Sequence, residues 1–144
     1  MRKLSIALYG AFLAASSLAA PSLAAPSLAA QAPSGAGQVI LLGARWCAPC
    51  MAEWRDLAAL VAAASPDQVV LAWVDRPMPP PPALNGQVAV MPHAQALELA
   101  QRLGGEGFGL PMAAYAPVGR RPCAPWRGPL RPKDMESLRQ LCAR

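Results

Sequence analysis

An α/β fold is what this sequence predicts over residues 38–144: a mixed, four-stranded sheet flanked by helices, in the order βαβ, α, ββα. Three observations lead there. Two short apolar runs, "QVILLGA" (38–44) and "QVVLAWVD" (68–75), are partly β-branched and show no helical period, as buried strands do. The segment between them, "MAEWRDLAALVAAAS" (51–65), repeats Trp54, Leu57, Leu60 and Val61 at three- to four-residue spacing, the mark of an amphipathic helix. Strand, helix and strand with short connections then imply a parallel crossover, right-handed by the usual rule.

The elements after that crossover follow from local signals. Residues 76–92, "RPMPPPPALNGQVAVMP", are rich in proline and read as a long loop able to hold polyproline II locally. Both strands deliver their C-terminal ends to one side of the sheet, so this loop is expected over that edge, where it would help choose a partner. "HAQALELAQRL" (93–103) places Ala96, Leu99, Ala100 and Leu103 on one helical face, and "GGEGFGLP" (104–111) ends it. Residues 112–128 read as a hairpin turning near Val118–Arg121. Pro122 and Pro125 in its second arm cannot donate ladder bonds, which makes that arm an edge strand. A final helix is expected over 132–143, with Pro132 in its first turn and Asp134 and Glu136 near its N-terminus. Its Met135, Leu138 and Cys142 share one side.

The N-terminus bears on compartment. Arg2 and Lys3 precede an uncharged apolar run, "LSIALYGAFLAA", and then three copies of Ser-Leu-Ala-Ala that offer small residues at cleavage positions. Residues 1–30 therefore read as a secretory signal peptide and an Ala/Pro/Ser-rich leader, and 31–37 as a linker. The apolar run is short for a membrane span of roughly 20 residues, and an uncleaved N-terminal anchor is the alternative. The expected location is periplasmic or secreted. The formal charge of +5 falls to +3 once Arg2 and Lys3 leave with the leader. Arg120, Arg121, Arg127 and Arg131 cluster without interleaved aromatics, so they read as a solvated basic face and no nucleic-acid partner is expected.

The chemistry concentrates in "RWCAPC" (45–50). Two cysteines at this spacing serve as a redox dithiol, as half of a metal site or as a structural staple, and spacing alone leaves all three open. Export favours cysteines that form disulfides. Met51 follows Cys50 where a c-type haem site needs histidine, and the remaining cysteines, Cys123 and Cys142, have eighteen residues between them and make no second C-x-x-C. No metal and no cofactor is expected. The motif stands where the first strand's C-terminal end meets a helix N-terminus, the edge at which open α/β sheets place their chemistry.

With these residues in view, the chain resembles the thioredoxin-fold family over most of 38–143. Trp46-Cys47-Ala48-Pro49-Cys50 is similar to the family's W-C-x-P-C motif, and Val74-Asp75-Arg76-Pro77 resembles its V-D-x-x-P strand ending. Gly109-Leu110-Pro111 lies where the family carries a cis-proline, and Arg127-Gly128-Pro129-Leu130 is similar to its step before the last helix. Taken with the leader, the resemblance is to exported, TlpA-type thiol–disulfide oxidoreductases. It implies that Cys47 attacks and Cys50 resolves, exchanging disulfides with protein thiols and disulfides of the exported compartment and with a membrane or periplasmic redox partner. It also makes Leu110 and Pro111 the backbone edge that meets an extended substrate segment.

Physical chemistry supports those roles. A cysteine at a helix N-cap meets unpaired N–H groups and the positive end of the macrodipole, which lowers a thiol pKa. Arg45 adds positive potential if it points toward the sulfur. Pro49 lies in the first turn, where a missing N–H costs little, and stiffens the motif. Trp46 is read as a rigid apolar wall beside the sulfurs, with a cap on the core as the alternative. His93, the one histidine, is read as a cap or surface residue. One departure stands out: many thioredoxins bury an acid six residues before the first cysteine, and Leu41 occupies that position here. Glu53 is near the motif but is read as solvated. Proton transfer through water, slower turnover, or a protein not optimised as a general reductase would each follow.

Cys123 and Cys142 are expected to form a structural disulfide, because the last helix must run back beside the hairpin's second arm. The functional expectation is thus an exported disulfide oxidoreductase. A metallochaperone or assembly module on the same fold is the alternative, and a structural module with a permanently oxidised pair is a third.

Overall fold

The two apolar runs form the centre of the sheet. In the computed structural model, which describes residues 36–143, β1 (Gln38–Gly43) and β2 (Gln68–Trp73) pair in parallel, from Gln38 opposite Gln68 to Gly43 opposite Trp73. The leader expected at 1–30 and most of the linker expected at 31–37 lie outside the described residues. Both strands are covered on both faces, and this explains their almost unbroken apolar sequence.

The connection between them is helical but not one helix. It starts at Ala48, directly after Cys47, and divides at Asp56 into α1 (Ala48–Arg55) and α2 (Leu57–Ala64). Asp56 N–H is shared between the carbonyls of Ala52 and Glu53 at 3.2 and 3.1 Å, and the bonding resumes at once beyond it.

The long loop holds more structure than its prolines imply. A 3₁₀ turn at Pro82–Leu84 is followed by β3 (Val88–Val90), which joins β2 in parallel with Val69 opposite Val88. The sheet therefore has five strands where four are expected, in the order β3-β2-β1-β4-β5. The parallel register also corrects the loop's path. Its first residues leave from the C-terminal edge of the sheet, its middle descends so that Leu84 joins the buried layer of Leu57 and Leu60 and Gly86 and Gln87 lie beside Ser65 and Pro66 at the opposite end, and β3 climbs back to bring His93 to the end of β2.

Helix α3 (His93–Gly104) returns the chain, and β4 (Met112–Ala116) runs antiparallel to β1, with Leu42 opposite Met112. Of the expected second arm only β5 (Trp126–Arg127) joins the ladder, at the sheet's edge as the prolines require. A 3₁₀ turn at Pro132–Asp134 leads into α4 (Met135–Gln140), shorter than the helix expected over 132–143.

Alternation along the strands sorts the core into two layers. Val39, Leu41, Val69, Leu71, Trp73 and Ala113 face α2 and α4, where Leu57, Leu60, Met135 and Leu138 meet them. Ile40, Leu42, Val70, Ala72 and Met112 face α3 through Ala96, Leu99 and Ala100. This is the thioredoxin-like α/β arrangement. Among the described residues, no helix is long and apolar enough to cross a membrane.

Candidate active site

The C-x-x-C motif is set by the junction between β1 and α1. Cys47 is the N-cap of α1, with extended backbone (φ −85°, ψ 102°), and its Sγ accepts the Cys50 N–H at 3.3 Å. Cys47 N–H donates to Ala44 carbonyl at 3.1 Å, which holds the turn, and Pro49 falls in the first helical turn. The two cysteines are joined in a disulfide with their Cα atoms 5.2 Å apart. A sulfur so placed receives a backbone donor and the helix's positive end, both of which favour a thiolate once the bond is reduced.

Gly43 allows this close packing. A Cβ there would come within 3.1 Å of Cys50 Cβ and 3.5 Å of its Sγ, so a larger residue requires Cys50 to give by a few tenths of an ångström.

Both sulfur residues are nearly covered, Cys47 at 5% and Cys50 at 3% exposure. The cysteine expected to attack and the one expected to resolve therefore differ little in exposure in the oxidised form. The residues packed on the pair are Ala44, Val74 and Leu110. Trp46 is 73% exposed, so it does not cap the core; it stands at the rim, beside Arg45. The Leu110–Pro111 peptide is cis, Pro111 is buried, and Leu110 lies just before β4 begins. Gly128 N–H donates to Pro111 carbonyl at 3.0 Å, which holds this segment against the turn before Leu130. His93, at the surface, lies with Nε2 3.1 Å from the Val74 carbonyl, close enough to donate to it and tie the start of α3 to the end of β2.

Glu53 corrects the sequence reading. Far from solvated, it is 9% exposed, and its carboxylate accepts the Leu130 N–H at 2.5 Å. Burial pushes its pKa up from 4.5 to about 7, against the smaller downward pull of that hydrogen bond. A cavity of about 20 Å³ lies behind the motif, lined by Leu41, Gly43, Cys50, Glu53, Trp54, Leu71 and Trp73. Leu41, where many thioredoxins bury an acid, and Glu53, which supplies one, thus line the same space from strand and helix sides. A signal for this was present: Glu53, Leu57, Leu60 and Ala64 follow helical spacing on one buried stripe, and Cys50 is one turn before Glu53.

The remaining cysteines lie elsewhere. Cys123 and Cys142 are joined, with Cα atoms 5.1 Å apart, and tie the stretch before β5 to the residues just after α4. Cys123 N–H donates to Tyr115 carbonyl at 2.9 Å, so this bond anchors the irregular arm to β4.

No protein-family model matches the chain, and no curated protein does. Among solved structures, one from Chlorobium tepidum assigned as a thiol:disulfide interchange protein, DsbE, is 25% identical, covering 76% of this chain and 79% of that one with a TM-score of 0.42.

Proposed function

We propose that this protein is an exported thiol–disulfide oxidoreductase of the TlpA type, exchanging disulfides with protein partners through Cys47 and Cys50. The observation that carries the proposal is a bonded cysteine pair at a helix N-cap, backed by a buried carboxyl that titrates near neutrality.

The chemistry follows from that placement. In the reduced protein, the Cys47 thiolate attacks one sulfur of a partner disulfide. That S–S bond breaks, a mixed disulfide forms, and the partner's other sulfur leaves as a thiolate that takes a proton from water. The Cys50 thiol then passes its proton to ionised Glu53 and attacks Cys47 Sγ. The mixed disulfide breaks, the partner's second thiolate leaves, and two electrons have moved to the partner. A buried base poised near pH 7 is matched to this step. Run backwards, the same residues donate a disulfide.

Leu110, packed against the cysteines and outside the β4 ladder, offers backbone to an extended partner segment. The charged start and apolar run of residues 1–30 support export, and a membrane or periplasmic redox partner would then reset the pair.

Reduction of insulin by dithiothreitol tests the activity. The mature protein should accelerate it and Cys47→Ser should not. No acceleration by the wild type, with copper or zinc held by the anaerobically reduced protein, would favour a metallochaperone instead.

A further inference from the structure

Beside the cysteine pair lies a shallow, open cleft lined by Arg45, Trp46, Asp75 and Arg76. Its charges are unevenly committed. Asp75 is held by one oxygen: its Oδ2 accepts the Arg45 N–H at 2.9 Å, while its Oδ1 is buried without a hydrogen-bond partner. That bond ties the turn carrying Trp46 to the end of β2. Both guanidinium groups are on exposed residues, and the ion pairs among the described residues are all made by Arg139. Arg45 and Arg76 therefore keep their charge for a visitor, next to the exposed Trp46.

Exchange requires the partner's sulfur to meet Cys47. In an extended segment the residues flanking that sulfur advance about 3.3 Å each, so they pass over the cleft that begins at Trp46. A planar guanidinium pairs with a carboxylate in fork geometry, and a rigid indole gives apolar area at small entropic cost. We propose that this cleft reads an acidic residue beside the reactive cysteine of an extended protein segment, with Arg45 and Arg76 as the specificity-determining residues and Trp46 as their platform. The inference rests on the oxidoreductase reading above and names the partner's chemistry.

The test uses the mature protein and three disulfide-linked peptides that differ only in a glutamate, glutamine or lysine next to the cysteine. The readout is the ratio of exchange rates, which a general loss of activity leaves unmoved. Wild type should prefer the glutamate over the lysine peptide by about three- to tenfold at low salt, and lose much of that preference at high salt. The Arg45→Gln, Arg76→Gln double variant should bring the ratio near one, and Arg45→Lys, Arg76→Lys should restore part of it. A wild-type ratio near one, or one that the double variant keeps, overturns the proposal. Oxidised glutathione, a small disulfide bearing carboxylates, should be slower than the glutamate peptide. Equal rates, with equal loss in the double variant, would assign the cleft to a small molecule and overturn the protein-segment assignment. A binding arm with the corresponding serine peptides separates the two levels. Charge discrimination in binding without exchange keeps the cleft and sinks the oxidoreductase; neither binding discrimination nor exchange overturns both.

Discussion

Cys47–Cys50 closes a separation of three residues at the mouth of α1, while Cys123–Cys142 spans nineteen and joins an irregular arm to the chain just past α4. Around the first pair stand a helix N-terminus, a buried carboxyl with a raised pKa and a cleft with two uncommitted arginines. Around the second stand a strand carbonyl and, nearby, a charge network that is already satisfied. Asp67 accepts from Gly37 N–H at 2.8 Å, from Tyr115 hydroxyl at 3.2 Å and from Arg139 at 2.9 Å, and Arg139 also donates to Ala64 carbonyl at 2.8 Å. Burial and the Asp67 carboxylate push the Tyr115 phenol up, which keeps its proton on that bond. The same covalent bond thus serves two ends: where neighbours leave charge and protons to move it is a reagent, and where the neighbouring charges are already paired it is a fastener.

Breaking the first pair should have the largest effect. Cys47→Ser is expected to abolish exchange, and Cys50→Ser to accumulate mixed disulfides through Cys47, visible on non-reducing gels. Next comes Glu53→Gln, which keeps an acceptor for Leu130 N–H but cannot take a proton. Resolution of the mixed disulfide should slow by about a hundredfold, and the pH dependence of that step near 7 should vanish, as general-base loss requires. A stopped-flow pH profile checks both.

Removing the second pair sharpens the contrast from the other side. Cys123→Ala with Cys142→Ala should cost about 3 kcal/mol in urea unfolding on the chain-entropy estimate, while exchange rates stay near wild type. Glu53 also makes a prediction about stability, of similar size. Its folded pKa of about 7 exceeds the unfolded 4.5, so between these values the folded state holds more protons and stability falls as pH rises. Wild type should lose about 3 kcal/mol across that window, and Glu53→Gln should flatten the loss. The smallest effect belongs to the proline run. Replacing 79–82 with Gly and Ser spares Leu84 and should leave exchange with small thiols intact.

The two strands and the motif between them were legible because a doubly covered parallel pair leaves a continuous apolar sequence. β3 was not, since three residues beside prolines carry little signal and the strand is completed only by the open edge of β2. The second arm shrank to two residues because Pro122 and Pro125 remove ladder donors, leaving the disulfide to hold what hydrogen bonds do not. Glu53 was misread for an instructive reason. Counting only apolar residues set the helix face at Trp54, Leu57, Leu60 and Val61, whose outer members are half-buried, whereas the buried stripe joins Leu57 and Leu60 to Glu53 and Ala64. A charged residue on an apolar stripe one turn after a cysteine was the signal to follow. The arginine cleft needed the fold, since it joins residues thirty positions apart across two strand ends.

The division of labour between the two cysteine pairs is tested most directly by mapping alkylation during graded reduction at neutral pH. Mild dithiothreitol followed by iodoacetamide should label Cys47 first and Cys50 much more slowly, with the 123/142 peptides still linked. Labelling of Cys123 or Cys142 before Cys47, or of Cys50 ahead of Cys47, would contradict the account.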